Sequence, residues 1–489
     1  MESSKITKVG LINPPYTRRV LFYSLPYLLG SLRKLDLSAD FKLFDCPAMG
    51  YRLEYLFSKL QEYQPDIIGV SVPFTITLKV ALHIIDVCKK LFPQAWIVAG
   101  GVHASLCPED LFDKCDYVVI GKGEGPMEQI IRSYQDRSKS RDIAGTVYSD
   151  NDKMIIVPKN DENVDSLGSP DWSDVDLTEF FSPRIFGSQE KGFSVFASTG
   201  CSFNCTFCSN HLLTHRKVIY RNLDDVVSEI QWFQKKYDIN IFSIADEVFT
   251  LDKKRVFEFC DILEKRKVDI RWTFQTRANL VSDKKMLMRM KELGAERVTI
   301  GIESGNSEVL RINKNISLDQ IVDAVDILKS VGFLVYAGFI IGFPEDTIDT
   351  VWETITFADK LDLDSPGFQL MVPYPKTKVR EKALKEGGIL TNDFNKYTTY
   401  GVVYVPPGLK KYDLLEIRRF AFQYFHTRTR KRVDNFMKRF VHHKDYEAIK
   451  KKYNLMFAQR DIYNKEYLMS LKYSKNASKN EQKIESLPI

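Results

Sequence analysis

Cys201, Cys205 and Cys208 fall within one eight-residue stretch, Cys201-Ser202-Phe203-Asn204-Cys205-Thr206-Phe207-Cys208, separated by three residues and then two. A helix or a strand would point such side chains apart, whereas a loop can wrap three thiols around one inorganic cluster. Three thiolates on a cubane 4Fe–4S cluster leave one iron without a protein ligand, and an open iron can bind a small molecule. Structural zinc sites ordinarily take four ligands. His211 and His215 follow closely enough in sequence to complete such a set, so spacing alone leaves zinc as an alternative. A disulfide needs an oxidising compartment, and nothing in the chain suggests export.

This spacing resembles the signature of the radical S-adenosylmethionine (SAM) enzymes. The resemblance implies that the amino and carboxylate groups of SAM chelate the fourth iron. One electron, from a donor such as flavodoxin or ferredoxin, then cleaves the sulfonium and releases a 5′-deoxyadenosyl radical. Phe207 fits the aromatic that this family places beside the cofactor.

A loop of this kind needs a scaffold, and from Phe193 onward the chain reads strand then helix, six times over. The strands are Phe193–Thr199, Ile241–Asp246, Ile270–Arg277, Arg297–Ser304, Leu334–Gly342 and Gly367–Pro373. Helices are expected near Leu223–Lys236, Lys253–Lys267, Asp283–Leu293, Leu318–Val331 and Ile348–Leu361. Six parallel strands with crossover helices match a partial (β/α)6 barrel, whose chemistry gathers at the carboxyl ends of the strands. By resemblance, Asp246 and Glu247 hold the SAM ammonium, a carboxylate facing a cation. Gly301-Ile302-Glu303-Ser304-Gly305 resembles the family's Gly-Ile-Glu-Ser-Gly segment, with Glu303 or Ser304 at the ribose or methionyl end. The strand ending in Gly342 resembles the one that contacts adenine, and Arg277 is expected on the SAM carboxylate. The plainer alternatives are a simple turn at Gly301 and Gly305 and a solvated loop at Asp246-Glu247. Pro373-Tyr374-Pro375-Lys376-Thr377 resembles a Pro-x-Pro-Gly-Thr turn, with Lys376 where glycine is usual.

Ahead of the barrel, apolar runs at residues 6–13, 41–44, 67–72, 96–101 and 116–120 alternate with helical stretches. Continuous apolar strands of this kind argue for a parallel sheet covered on both faces. Ligands of such sheets sit outside the carboxyl ends of the strands. The loops there are small or glycine-rich, which lets backbone approach a bulky flat ligand. This arrangement resembles the cobalamin-binding domain found ahead of many radical SAM cores, and implies contacts from Ser71, Gly100, Gly101, Gly123 and Glu124. The Asp-x-His-x-x-Gly loop that ligates cobalt from below does not occur, and the comparable loop reads Asp45-Cys46-Pro47-Ala48-Met49-Gly50. Cobalamin is therefore expected without a histidine under the cobalt, the alternative being a fold that persists without its cofactor. His103 reads as a loop hydrogen-bonder.

At 489 residues the chain suffices for two or three domains, and a 44% hydrophobic share marks it as globular. No basic-apolar-small leader is read at its start, so no secretory signal is expected. The run Val20–Leu32 is too short to span a bilayer and reads as a buried first helix. Cys46, Cys88, Cys107, Cys115 and Cys260 lie scattered, as small core or surface residues do. A cytoplasmic, oxygen-sensitive protein is the natural expectation. The fold class is α/β: a Rossmann-like cobalamin-binding domain over 1–137, a linker over 138–190 stapled by Ser169-Pro170-Asp171-Trp172, a radical SAM partial barrel over 191–400, and a basic helical region over 401–489. From Pro406 onward there are 20 Lys and Arg against 9 Asp and Glu. The densest run, His426 to Arg432, is flanked by Phe420, Phe422, Tyr424, Phe425, Phe436 and Phe440. Such a surface suits anionic lipid at a membrane or a phosphate-bearing substrate. Nucleic acid is the less favoured partner, and a solvated helix face is the plain alternative. Residues after Lys472 are expected to be disordered.

The resemblance implies first a cobalamin-dependent C-methyltransferase. The adenosyl radical takes hydrogen from an unactivated carbon, and the carbon radical accepts a methyl group carried by cobalamin. An oxidative cyclisation or rearrangement without methyl transfer is the second reading, and a metal-bearing binding module the third. The substrate is expected to be a small molecule or a lipid-like amphiphile, and its identity is not encoded in any motif.

Overall fold

The computed structural model describes residues 6–16, 21–50, 52–138, 140–158, 168–181, 191–361 and 363–427. The basic run from Arg428 to Arg432, with Phe436, Phe440 and the stretch after Lys472, lies outside them.

In the front half, β1 (Thr7–Asn13), α1 (Ser24–Leu32), β2 (Ala39–Asp45), α2 (Leu53–Tyr63), β3 (Ile67–Ser71) and α3 (Leu78–Leu91) follow in order. Then come β4 (Trp96–Gly100), α4 (Val102–Leu106), β5 (Tyr117–Val119) and α5 (Glu124–Gln135). The five strands pair in parallel in the order β2-β1-β3-β4-β5. Every residue of β3 is buried, as expected of a strand with helices over both faces. Register places Asn13 beside Asp45 and Ser71 beside Gly100, so the strands end together on one edge.

The expected linker over 138–190 is not all linker. Its residues Thr146–Asp150 form β6 and Lys153–Val157 form β7, a hairpin that adds two antiparallel strands beyond β5. Asn151 and Asp152 turn the corner with φ of +50° and +62°, the left-handed pair that suits a two-residue hairpin. The hairpin's half-exposed, polar strands leave little apolar periodicity to detect.

The second half opens with β8 (Gly192–Val195), β9 (Ser198–Thr199), α6 (Asn210–Thr214), β10 (Ile219–Tyr220), α7 (Leu223–Tyr237) and β11 (Ile241–Ile244). It continues with α8 (Lys253–Lys265), β12 (Arg271–Arg277), α9 (Lys284–Glu292), β13 (Ala295–Glu303), α10 (Ser307–Asn313) and α11 (Leu318–Val331). It closes with β14 (Leu334–Ile341), α12 (Ile348–Lys360), β15 (Ser365–Leu370), α13 (Lys378–Glu386) and α14 (Lys411–Thr427). Six parallel strands run β8-β11-β12-β13-β14-β15, an open half-barrel as expected. Side-chain caps start its helices: Asn222, Asp252, Asp283, Asn306, Ser317, Thr347 and Thr377 each accept a backbone N–H of the first turn.

One apolar core runs through both halves, joining Leu11, Leu29 and Met127 of the front sheet to Phe193, Phe242 and Trp272 of the barrel. Trp172 is the staple. Its ring packs edge-on against Tyr23 and Phe193, and its indole N–H donates to Glu229, which pairs with Arg221 at 2.7 Å. α14 corrects the expectation for the tail. Phe420, Tyr424 and Phe425 are buried, with Phe420 against Trp352 and Phe425 stacked on Phe368, so these aromatics form core and not a lipid-facing surface. No helix among the described residues is long and apolar enough to cross a membrane.

Candidate active site

The cysteine loop leaves β9 through Gly200, whose φ of +101° suits glycine. A Cβ there would collide with the Lys217 carbonyl. β9 and β10 pair antiparallel at the loop's base. Thr206 N donates to the Asn313 carbonyl at 3.0 Å and Val379 N to the Thr206 carbonyl at 3.2 Å, anchoring the loop to α10 and α13. Cys201, Cys205 and Cys208 are free and half-buried. Burial holds the Cys201 and Cys208 thiols above the ordinary range. The sulfurs receive donors: Arg277 Nη1 lies 3.2 Å from Cys205 Sγ, Asn210 N lies 3.5 Å from Cys208 Sγ, and the Phe203 backbone N–H faces Cys201. Three soft donors in one loop, with N–H groups aimed at their sulfurs, fit an iron–sulfur cluster. Phe207 meets Phe343 edge-on at 5.7 Å, just past the carboxyl end of β14.

The paired acids beyond β11 separate in role. Asp246 is buried and accepts from Ala197 N at 2.7 Å and from the Ser198 hydroxyl at 2.6 Å. Desolvation pushes its carboxyl up to about 6. It ties two strand ends together, bonded to the backbone and hydroxyl of the β9 approach. Glu247 accepts from Gly200 N at 3.2 Å and Asn210 Nδ2 at 2.8 Å, which puts it against the cysteine loop. Its carboxyl too is raised by burial.

Ser304 also has protein partners. It is buried, with its hydroxyl 3.1 Å from Thr354 Oγ1 and accepting from Asn306 N, so it braces the start of α10. Glu303, at φ +72°, instead pairs with Lys314 at 2.8 Å, and Lys314 also donates to the Gly301 carbonyl. Gly342 turns at φ +100°, and its N–H donates to Asp346, which also takes Phe343 N. Arg277, expected on the SAM carboxylate, lies against Cys205, with the guanidinium 4.2 Å from the Phe203 ring centroid. Lys376 takes the left-handed φ of +62° that glycine would and reaches across to Glu109 at 2.6 Å, so the turn survives its replacement.

At the carboxyl edge of the front sheet lies a cavity of about 330 Å³. Ser71, Gly100, Gly101, Gly123 and Glu124 all line it, with Gly69, Lys122, Tyr23, Leu28 and, from the barrel, Phe196 and Thr199. Gly101 sits at φ +104° with the Val72 backbone against it. Glu124 Oε2 is buried with no hydrogen-bond partner, which suits an amide-bearing ligand. Backbone-lined space, apolar walls and an orphan acceptor fit cobalamin, and no histidine is among the described residues that line the cavity. His103 is a hydrogen-bonder as expected: its ring nitrogens meet Thr75 Oγ1 at 3.2 Å and Asp110 Oδ2 at 3.1 Å. Cys107 completes a compact group with it and Asp110.

A nucleotide-type sheet with a glycine-lined cavity, fused to an open half-barrel with three cysteines on its rim, defines a two-cofactor α/β enzyme. Residues 195–358 match the radical SAM superfamily, and residues 23–131 match the B12 binding domain. The chain thus carries a B12-binding domain followed by a radical SAM domain. It is 29% identical over 454 residues to an uncharacterized methyltransferase of Pyrococcus horikoshii, covering 90% of this chain and 96% of that protein. It is 25% identical over 405 residues to the anaerobic magnesium-protoporphyrin IX monomethyl ester cyclase of Cereibacter sphaeroides, covering 80% of this chain and 64% of the cyclase. The solved structure of OxsB, a cobalamin-dependent SAM radical enzyme, shares the fold with a TM-score of 0.71 at 21% identity, over 93% of this chain and 71% of OxsB. The radical SAM domain implies a 4Fe–4S cluster and SAM, so the zinc alternative falls.

Sequence reasoning missed Gly200, Phe203, Asn210 and Lys314, and the barrel's contribution to the front cavity. Gly200 had a signal, a glycine directly before the first cysteine. The others act through partners that no local pattern names, Phe203 and the Lys314 carbonyl on Arg277 and Asn210 on Glu247.

Proposed function

We propose that this protein is a cobalamin-dependent radical SAM methyltransferase acting on an unactivated carbon of a small molecule. One observation carries the reading. Phe196 and Thr199 close the front cavity, and Thr199 stands two residues before Cys201, so the two cofactor sites share a wall. Carbon without a lone pair cannot attack the sulfonium of SAM, and that chemistry falls to cofactors. When bound, the cluster supplies one-electron cleavage of SAM and cobalamin supplies a transferable methyl group.

The chain's own residues hold and orient. Cys201, Cys205 and Cys208 bind iron, and Glu247 receives the SAM ammonium. Phe207 and the Gly342 turn bound the adenine side, with Glu303 kept in place by Lys314. Ser71, Gly100, Gly101, Gly123 and Glu124 cradle the corrin. Methylation fits the P. horikoshii relative, which matches nearly end to end. The electron comes from a flavodoxin- or ferredoxin-type donor, in a cytoplasm reducing enough to keep the thiols free.

The test is anaerobic reconstitution with iron, sulfide and hydroxocobalamin, followed by reduction in the presence of SAM. Methyl transfer requires SAM to be consumed in two ways, giving 5′-deoxyadenosine and S-adenosylhomocysteine, with 5′-deoxyadenosine lost in Cys205→Ala. Deoxyadenosine without S-adenosylhomocysteine would favour a cyclase-like reaction, as the second relative performs. Neither product would sink both readings.

A further inference from the structure

We propose that Arg277 is the counter-cation of the iron–sulfur cluster, a positioning residue that raises the cluster's reduction potential through Cys205. The inference rests on the reading of the cysteine loop as a 4Fe–4S site.

A guanidinium stays charged in any protein setting, and a buried charge is costly unless something opposes it. Arg277 is only 6% exposed. Its Nε donates to Asn279 Oδ1 at 2.8 Å, its Nη2 to the Lys314 carbonyl, and its Nη1 to Cys205 Sγ at 3.2 Å. Phe203, from the cysteine loop itself, covers one face of the group. No carboxylate appears among these contacts. Glu303, on the adjoining strand, is engaged by Lys314. The anion that Arg277 meets is therefore the Cys205 sulfur, once that sulfur is a thiolate on iron.

Reduction adds one electron, and so one negative charge, to a cluster that three thiolates already make anionic. A fixed cation beside a ligand sulfur stabilises the reduced state more than the oxidised one. Cluster potentials respond to net charge and to hydrogen bonds on the sulfurs, and a charge-assisted bond is the stronger kind. The clamp of Asn279, Lys314 and Phe203 keeps the guanidinium on Cys205 through the redox change. Arg277 thus eases entry of the electron that SAM cleavage consumes.

The experiment is a redox titration, monitored by electron paramagnetic resonance, of the full-length protein reconstituted with iron and sulfide and without SAM. Arg277→Gln is expected to keep its iron and to titrate at a more negative potential than wild type. Arg277→Lys keeps the charge but not the planar fork, so a smaller shift of the same sign is expected. An iron-loaded Gln variant at the wild-type potential overturns the proposal. A Gln variant that loses its iron passes the decision to the neutral Arg277→Met, where the wild-type potential likewise overturns it. A carboxylate clamp for SAM predicts a different pattern, weaker SAM binding at unchanged potential. Wild-type protein with no 4Fe–4S signal would instead defeat the proposed function.

Discussion

The Ser198 hydroxyl donates to Asp246 Oδ2 at 2.6 Å, tying the end of β11 to β9, three residues before Cys201. Asp246 thereby sets where the cysteine loop departs. Ser198→Ala removes one of its partners and leaves a buried oxygen short of a donor. That should cost about 1–3 kcal/mol of stability and reduce the iron retained after reconstitution. Chemical denaturation and iron per chain measure the two effects, and wild-type values for both would show the bond to be idle.

Glu247 has the opposite character, a carboxylate beside the cysteines whose partners, Gly200 N and Asn210, come from the loop itself. If it receives the SAM ammonium, Glu247→Gln removes the charge while keeping the shape. Hydrogen bonds to charged groups contribute roughly 1.5–3 kcal/mol, so SAM affinity should fall roughly ten- to a hundredfold at unchanged iron content. Equilibrium dialysis with labelled SAM on the iron-loaded protein is the measurement. Unaltered affinity would remove Glu247 from the SAM site.

Two glycines of the front cavity should respond differently to substitution. A Cβ on Gly123 would meet only Leu28 and Val119 side chains at 3.6 Å or more, so Gly123→Val fits the scaffold and intrudes on the cavity. It should abolish cobalamin retention with the melting temperature nearly unchanged. Gly101 combines φ +104° with the Val72 backbone about 3 Å from a Cβ. Gly101→Ala should therefore destabilise the fold by about 1–3 kcal/mol, whether or not cobalamin is present. Absorbance of bound corrin and thermal melts separate the cases, and equal behaviour would undo the distinction.

The half-barrel was legible because most elements are long and strongly periodic: Leu318–Val331 is the helix that the pattern marks, and five of the six strands overlap their expected spans, while the expected Phe193–Thr199 splits into β8 and the separate β9. The cysteine triad was legible because its spacing is itself the signal. Less legible was the fate of a polar group at a strand end. Asp246 and Glu247 are neighbours of one chemical type, yet Ser198 and Ala197 claim the first while the cysteine loop claims the second. Ser304 went to Thr354 on a helix fifty residues away. Such partnerships depend on which long-range groups end up within 3 Å, and no local pattern encodes them. The hairpin β6-β7 was hidden for a different reason, since weakly buried edge strands need little apolar alternation.

Asp346 offers a pH test of the turn that follows β14. It is buried and accepts from Gly342 N and Phe343 N at 2.8 and 2.9 Å and from the Thr350 hydroxyl. Desolvation outweighs these bonds and lifts its carboxyl from an ordinary 3.8 to about 6. A carboxyl raised on folding favours the folded state while protonated. That contribution is fully present below about pH 4 and is lost as the pH rises through about 6. Asn can replace the geometry, one oxygen accepting both backbone N–H groups and the amide donating to Thr350, and it does not titrate. Asp346→Asn should therefore gain on wild type by something on the order of 2–3 kcal/mol between pH 4 and pH 6, and hold that margin above. Denaturant midpoints taken across this range decide it: parallel curves for the two proteins would mean that Asp346 is ionised at no cost, and that its three donors balance its burial.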